Sequence, residues 1–141
     1  VIPDPDCTID GLIANVPSGD WAALDLREHA YDRIPASHQI RHALPHQPDI
    51  ALYSIPDGKH DDATLHHPSP LSYIEVVVQG FLREFGEDGV ARFFATTSGW
   101  TAPILNDRAA PVYPRAQRLS LGEQTLVDDA LRALTRRIIV A

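Results

Sequence analysis

The stretch Trp21-Ala-Ala-Leu-Asp-Leu-Arg-Glu-His-Ala-Tyr-Asp-Arg33 decides how the rest of this sequence is interpreted. It predicts a short helix that runs into a strand, with Asp20 placed to accept from the free backbone N–H groups of the first turn. At about 100° per residue, Trp21, Leu24 and Glu28 fall within about 60° of one another. The pattern therefore places a carboxylate on the face of the helix that is expected to be buried.

Glu28 is the candidate general acid or base that this placement indicates. Burial of a carboxylate costs free energy unless the group is paired or protonated, and it raises the pKa toward the range that suits proton transfer. A structural interpretation stays open, in which Glu28 is a helix-end residue bonded to Arg27, Arg33 or solvent. Structural carboxylates of that kind also have perturbed pKa values.

Composition limits the class of protein. The chain has 141 residues, of which 44% are hydrophobic and 22% charged, and this predicts one globular domain over residues 1–141. The formal net charge is −7 and Lys and Arg do not cluster, so we expect no nucleic-acid partner. No apolar run approaches the ~20 residues that span a bilayer, so we expect no membrane partner. Cys7 is the single cysteine, which fits a cytoplasmic location.

Three strands and a polar loop are predicted in the first half of the chain. Strand-forming residues or alternating apolar residues occupy Thr8–Val16, part of Tyr31–His42, and Asp49–Ile55. The loop Pro56–Pro70 contains residue types that can bind metal, namely Asp57, His60, Asp61, Asp62, His66 and His67. Their spacing matches no zinc pattern, so we expect a solvated loop and no metal site.

Two helices separated by a glycine are predicted next. Ser72-Tyr-Ile-Glu75 has the pattern of a capping box, and the helix it opens is expected to end at Phe85, before a left-handed Gly86. Its apolar stripe is predicted to face the core and consists of Tyr73, Val76, Val77, Gly80 and Phe81. Gly80 is expected to allow another backbone to approach. A second short helix is predicted over Glu87–Thr96, with Val90, Phe93 and Phe94 inward.

The C-terminal part is predicted to be a long irregular segment followed by one helix. Residues 97–119 contain three prolines, and Trp100 and Tyr113 are expected to anchor them. A second capping box, Ser120-Leu-Gly-Glu123, opens the last helix. The apolar residues of that helix fall on one face, and an exposed, unpacked face there would favour an interaction module.

Two of these stretches together resemble the γ-glutamylcyclotransferase-like family. Leu24-Asp-Leu-Arg-Glu28 followed by Tyr31 is similar to the family's Leu-Asp-x-x-Glu segment with its downstream tyrosine. Pro68-Ser-Pro-Leu-Ser-Tyr73 is similar to the family's Pro-Ser-x-x-Tyr segment, and the helix that follows has the internal glycine. The likeness covers about Thr8 to Thr96.

The resemblance implies an α+β fold, a small mixed β-barrel with surrounding helices, formed by residues 8–97 with a C-terminal loop-and-helix extension at 98–141. It implies cyclisation of a γ-glutamyl amine or peptide to 5-oxoproline with release of the amine. Glu28 would be the general acid/base, and Tyr31 and Tyr73 would bind the substrate. No cofactor or metal is implied, and holding the substrate folded gives its amine a high effective molarity.

One family feature is missing and leaves an alternative open. The Tyr-Gly-Ser loop that grips the family's substrate does not occur in these 141 residues. Because the sequence contains no methionine and starts at Val1, we expect natural sequence before Val1, which is where that loop would belong. Without the loop, the alternative is a non-catalytic small-molecule binding domain on the same fold. An exposed strand edge left by a missing segment would favour a homodimer.

Overall fold

A computed structural model describes residues 4–56, 58–59 and 66–134, together with the backbone of 138–140. The described residues form a mixed structure of three α-helices and small β-sheets, which confirms the α+β class. In chain order the elements are α1 (Trp21–Arg27), β1 (Asp32–Pro35), β2 (Ala51–Ser54), β3 (Ser69–Pro70), α2 (Leu71–Thr96), β4 (Ile104–Asn106), α3 (Leu121–Leu134) and β5 (Ile138–Val140). Within these ranges, each helix is either too short or too polar to cross a bilayer.

The chain divides into two compact units. The first contains α1, β1 and β2, and the second contains Asp6–Asp10 and every element from β3 onward. In the first unit β1 and β2 pair antiparallel, with Arg33 opposite Tyr53. In the second unit β3, β4 and β5 form a parallel sheet in that order. The described strands form no closed barrel, so the barrel is unconfirmed, and the single domain stays a prediction.

Local sequence signals in the first unit act as predicted. Asp20 caps α1, because its Oδ1 accepts a hydrogen bond from the Ala23 N–H at 2.9 Å. The helix ends at Arg27, and the backbone of Glu28 leaves the helical region. The strands expected within 31–42 and 49–55 are present as β1 and β2.

Eight buried apolar side chains from α2, β4 and α3 form the core of the second unit. They are Leu71, Ile74, Val78, Val90, Phe94, Ile104, Val127 and Leu131. Phe81, Phe93 and Trp100 pack against this cluster. Residues after 98 therefore share one core with α2, and Trp100 anchors its segment as predicted.

Gly86 interrupts α2 where the sequence predicted a break. Its φ of 68° and ψ of −170° lie in a region that only glycine adopts readily. The two halves of α2 thus match the predicted helices that end at Phe85 and span Glu87–Thr96. A close approach is found instead at Gly89, where an added Cβ would overlap the Cβ of the Phe85 side chain on the same helix. At Gly80, where we expected it, an added Cβ would meet no atom within 4 Å.

The last helix also begins as predicted. The Ser120 N–H donates to Glu123 Oε2 at 2.6 Å, and the Glu123 N–H donates to Ser120 Oγ at 3.3 Å, which is the reciprocal pair of a capping box. On the inner face of α3, Val127 and Leu131 are fully buried. The middle of this apolar face is therefore packed, whereas Leu121 at one end of the helix is 82% exposed and Leu134 at the other is 42% exposed.

The predicted start of α2 is wrong. The residue before the helix is Pro70, which has no side-chain cap. Ser72 and Glu75 do not cap the helix, because both are buried and bond to Asp107 and Arg108 instead. The predicted inward stripe is also wrong, since Tyr73 is 48% exposed. The buried face of α2 contains polar residues that a hydrophobic pattern does not select.

Two strand predictions also fail. Thr8–Val16 takes no regular structure, and Ile9, Leu12 and Ile13 are exposed. A strand requires a partner strand for its backbone groups, and none of the described strands pairs with this segment. Conversely, β4 lies inside the segment that we predicted to be irregular.

Candidate functional site

Glu28 lies directly after α1, in a local ion pair. Its N–H donates to the Leu24 carbonyl at 2.9 Å, and its Oε1 lies 2.9 Å from Arg27 Nε. The Glu28 side chain is 27% exposed and no residue of α1 is fully buried, so the face that the sequence predicted to be buried is only partly covered. The bond to Arg27 is one of the structural alternatives that the sequence left open.

The two tyrosines that were expected to bind substrate lie in different units. Tyr31 follows Glu28 in the first unit, where its N–H donates to the Glu28 carbonyl at 2.8 Å and its side chain is 44% exposed. Tyr73 lies in the second unit, in the first half of α2, and its ring meets the Tyr113 ring edge to face. The structure therefore places Glu28 and Tyr31 in the first unit and Tyr73 in the second.

Four side chains of the first unit form a cluster around an arginine. They are Arg33 itself, Trp21 and Asp25, which contact it, and Tyr53, which contacts Asp25. The Arg33 guanidinium lies 4.7 Å from the centre of the Trp21 ring, within the range of a cation–π contact. Arg33 Nε lies 3.1 Å from Asp25 Oδ1, and the Tyr53 hydroxyl donates to that same oxygen at 2.6 Å. We call this group the arginine cluster.

The Tyr53 hydroxyl keeps its proton in this cluster. Burial, the hydrogen bond to Asp25 and the negative charges of Asp25 and Glu28 raise the pKa of Tyr53 above its usual value, and the charge of Arg33 offsets part of that rise. Tyr53 therefore donates to Asp25 at neutral pH, and Asp25 remains an acceptor for Arg33. The consequence is a guanidinium whose direction is fixed before any ligand arrives.

Two members of the arginine cluster line a cavity of about 460 Å³ in the first unit. The described residues that line it are Trp21, Arg33, Pro35, Ser37, Asp49, Ile50 and Ala51. Arg33 supplies a positive charge and Asp49 a negative one. Glu28 and Tyr31 are not among these described lining residues.

Ser37 fixes the segment that contains Asp49. Its Oγ accepts from the Ile50 N–H at 2.8 Å and lies 3.3 Å from the Pro48 carbonyl oxygen, to which it donates. The Ala36 N–H also donates to the Ile50 carbonyl at 2.8 Å. The backbone on both sides of Asp49 is thus bonded to the residues that follow β1.

The sequence did not identify most of the arginine cluster. Trp21 and Asp25 are four residues apart on α1, a spacing that places two side chains on the same helix face and could have drawn attention to Asp25. Arg33 and Tyr53 meet because they are opposite in the β1–β2 register. That register is set by how the strands pair, and no residue pattern in the sequence specified it.

A second polar cluster holds the segment after β4 against the helices of the second unit. Asp107 accepts from the Ser72 N–H at 2.8 Å, from Ser72 Oγ at 2.5 Å and from the Val112 N–H at 2.8 Å. Burial alone would raise the pKa of Asp107, but these hydrogen bonds outweigh it and lower the pKa. The Ser72 backbone at the start of α2 thus has a distant carboxylate in place of a local cap.

Arg108 joins the two helices through carboxylates. Its Nε donates to Glu75 Oε1 at 2.6 Å, while its two terminal nitrogens donate to the two oxygens of Asp128 at 3.1 and 2.6 Å. The Glu75 side chain is only 6% exposed. The hydrogen bonds to Asp128 and to Glu75 raise the pKa of Arg108 further. All of these groups are satisfied by one another, so we assign them a structural role.

No set of metal ligands is visible in the part of the chain that the structure describes, where no three His, Cys, Asp or Glu side chains lie together. His66 and His67 of the polar loop belong to that part. Four other residues of the loop, Asp57, His60, Asp61 and Asp62, lie outside the described residues.

Comparisons of this chain with protein-family models, with curated proteins and with solved structures found no match. The resemblance to the γ-glutamylcyclotransferase-like family therefore depends on the two sequence motifs alone. The activity, the substrate and the site residues that it implies stay predictions.

Proposed function

We propose that the first unit binds a small molecule whose head group has a carboxylate beside an ammonium, as the end of an α-amino acid does. The observation that supports this is a fixed arginine in a cavity that also contains an aspartate. Arg33 is held by Trp21 and Asp25, and Asp49 lines the same cavity. The volume of about 460 Å³ lies within the usual ~300–1,000 Å³ of ligand pockets.

The chemistry of Arg33 suits a carboxylate. Its ion-pair contact with Asp25 is through Nε, so the two terminal nitrogens can make the parallel bonds that a planar guanidinium forms with a second carboxylate. The Trp21 ring excludes water from one face of the guanidinium, which strengthens its electrostatic interactions. Asp49 would then accept from the ammonium of the ligand.

γ-Glutamyl compounds are the ligands we propose within this class, because each has a free α-carboxylate and α-ammonium at one end. The two family-like motifs support that choice, since one of them is α1 itself. As part of the same proposal, the chain would have the mixed β-barrel fold of that family and a cytoplasmic location.

The catalytic candidate is cyclisation of the bound γ-glutamyl compound with Glu28 as the general acid/base. The Leu24-Asp-Leu-Arg-Glu28 motif supports this candidate, and because Glu28 is not among the described residues that line the cavity, its carboxylate would have to turn toward the bound ligand. In that reaction Glu28 takes a proton from the α-ammonium, and the freed amine attacks the γ-carbonyl to form the new C–N bond. The γ-amide C–N bond then breaks, and the leaving nitrogen takes up the two protons that the α-ammonium loses, one of them by way of Glu28, so that 5-oxoproline and a free amine are formed. The Arg27 pair would have to open first, because it engages one carboxylate oxygen.

Calorimetric titration with γ-glutamylalanine tests the binding proposal. We expect Arg33→Gln to weaken binding about tenfold or more, since a hydrogen bond to a charged group contributes ~1.5–3 kcal/mol. Arg27→Gln is the matched control, because Arg27 is also exposed on the first unit but does not line the cavity. Equal affinity of wild type and folded Arg33→Gln would exclude the proposed site.

Release of 5-oxoproline from the same compound tests the catalytic candidate separately. Release that disappears in Glu28→Gln, with binding retained, would support the enzyme. Undiminished release in that variant would remove Glu28 from the mechanism. Binding without any release would leave the non-catalytic binding domain.

A further inference from the structure

We propose that the second unit contains an independent binding site for a small, neutral aromatic compound, in a cleft to which both halves of α2 contribute. The cleft has a volume of about 280 Å³ and is lined by side chains from both halves of α2, from β4 and from the turn after α2. This proposal does not depend on the proposed function, because the described residues that line the cleft all belong to the second unit.

The walls of the cleft are aromatic and aliphatic. Tyr73 and Phe93 come from the two halves of α2, and Trp100 comes from the turn that follows. Ile74 and Val77 contribute aliphatic surface from the first half of α2. The described lining residues include no Asp, Glu, Lys or Arg. A charged ligand would lose its hydration without gaining an opposite charge, so a neutral ligand is favoured.

The rings are held in place before a ligand binds. Trp100 Nε1 donates to the Phe94 carbonyl at 3.3 Å, which fixes the indole against the end of α2. The Phe93 ring meets the Trp100 ring edge to face at 5.8 Å, and the Tyr73 ring meets Tyr113 in the same way at 5.1 Å. A ligand ring entering the cleft can add to these edge-to-face arrangements at a low cost in side-chain entropy.

The volume limits the size of the ligand. An apolar cavity of ~150 Å³ accommodates one benzene ring, so about 280 Å³ is enough for two fused rings and too little for most drug-sized molecules. Ser69, Thr97 and Ser98 also line the cleft and provide hydroxyl groups for one polar substituent. A fused bicyclic ring with one hydroxyl or N–H fits both the size and the lining.

Titration of the ¹⁵N- and methyl-labelled chain with 2-naphthol, followed by NMR, tests the site. We expect saturable shifts at Val77, Ile104 and the amides of residues 97–102, and binding at least tenfold weaker for the anion 2-naphthoate. Val77→Phe fills the cleft and should abolish the shifts. Val112→Phe is the matched control, because Val112 is 58% exposed and does not line the cleft.

If Val77→Phe fails to fold, Tyr73→Leu removes one ring from a half-exposed position and should weaken binding. Equal binding of naphthol and naphthoate would overturn the inference, as would shifts that persist in a folded Val77→Phe chain. Shifts that depend on protein concentration, with a dimer in sedimentation, would also overturn it, because the cleft would then be a contact between two copies.

Discussion

Replacement of Arg108 by methionine should destabilise the second unit strongly. Arg108 is the partner of Glu75, whose side chain is 6% exposed, and it bonds both oxygens of Asp128. Without the guanidinium, the Glu75 carboxylate stays buried beside an apolar side chain. Removal of one partner from a buried ion pair costs about 3–5 kcal/mol, and we expect a loss in that range because Glu75 is left unpaired. Asp128 adds little to the loss, since its side chain is partly solvated.

Urea unfolding at pH 7, followed by circular dichroism, measures this loss. Arg132→Met is the matched control, since Arg132 pairs with Asp129 at the surface and both side chains are more than half exposed. An exposed pair contributes at most about 1 kcal/mol, so the control should unfold almost like the wild type. The midpoint of Arg108→Met should fall well below both.

A double variant separates the buried charge from simple loss of packing. Glu75→Met in the Arg108→Met background removes the unpaired carboxylate, so we expect it to recover most of the lost stability. The reasoning is refuted if Arg108→Met costs no more than Arg132→Met. It is also refuted if the double variant is less stable than Arg108→Met alone.

Three further predictions concern the second unit. Because the pKa of Asp107 is lowered in the folded chain, its ionised carboxylate stabilises the fold fully above the unfolded pKa of about 4. That stability is lost as the pH falls through the lower folded pKa. In Asp107→Asn, the free energy of unfolding in urea should therefore change less between pH 7 and pH 3 than it does in the wild type. Gly86→Ala should cost about 1–3 kcal/mol in urea unfolding, because alanine is strained at φ 68°, whereas Gly80→Ala should not destabilise. Ser120→Ala should lower the thermal midpoint through a loss of about 1 kcal/mol, and Ser120→Asp should retain most of the stability.

The features that the sequence predicted correctly are local. The cap at Asp20, the break at Gly86 and the capping box at Ser120–Glu123 each involve residues within about four positions of one another. Hydrogen-bond chemistry and allowed backbone angles determine such features with little help from the rest of the chain.

The features that the sequence did not predict depend on distant partners. Ser72 and Glu75 have the spacing of a capping box, yet their partners, Asp107 and Arg108, lie 35 and 33 residues further along the chain. Asp107, a charged acceptor distant in sequence, takes the hydrogen bond of the Ser72 N–H. The capping-box pattern is therefore present in the sequence, but the capping box that it predicts does not form. The arginine cluster has the same origin, because Arg33 and Tyr53 come together only through strand register.

The most direct test of the proposed function removes one group from the ligand and one from the protein. We would measure the affinities of γ-glutamylalanine and of 4-aminobutyrylalanine, which lacks the α-carboxylate, for the wild type and for Arg33→Gln. If Arg33 binds that carboxylate, the wild type should prefer γ-glutamylalanine by about tenfold or more, and the preference should disappear in Arg33→Gln. An equal preference in both proteins, with both folded, would contradict the assignment of Arg33 as the carboxylate-binding residue.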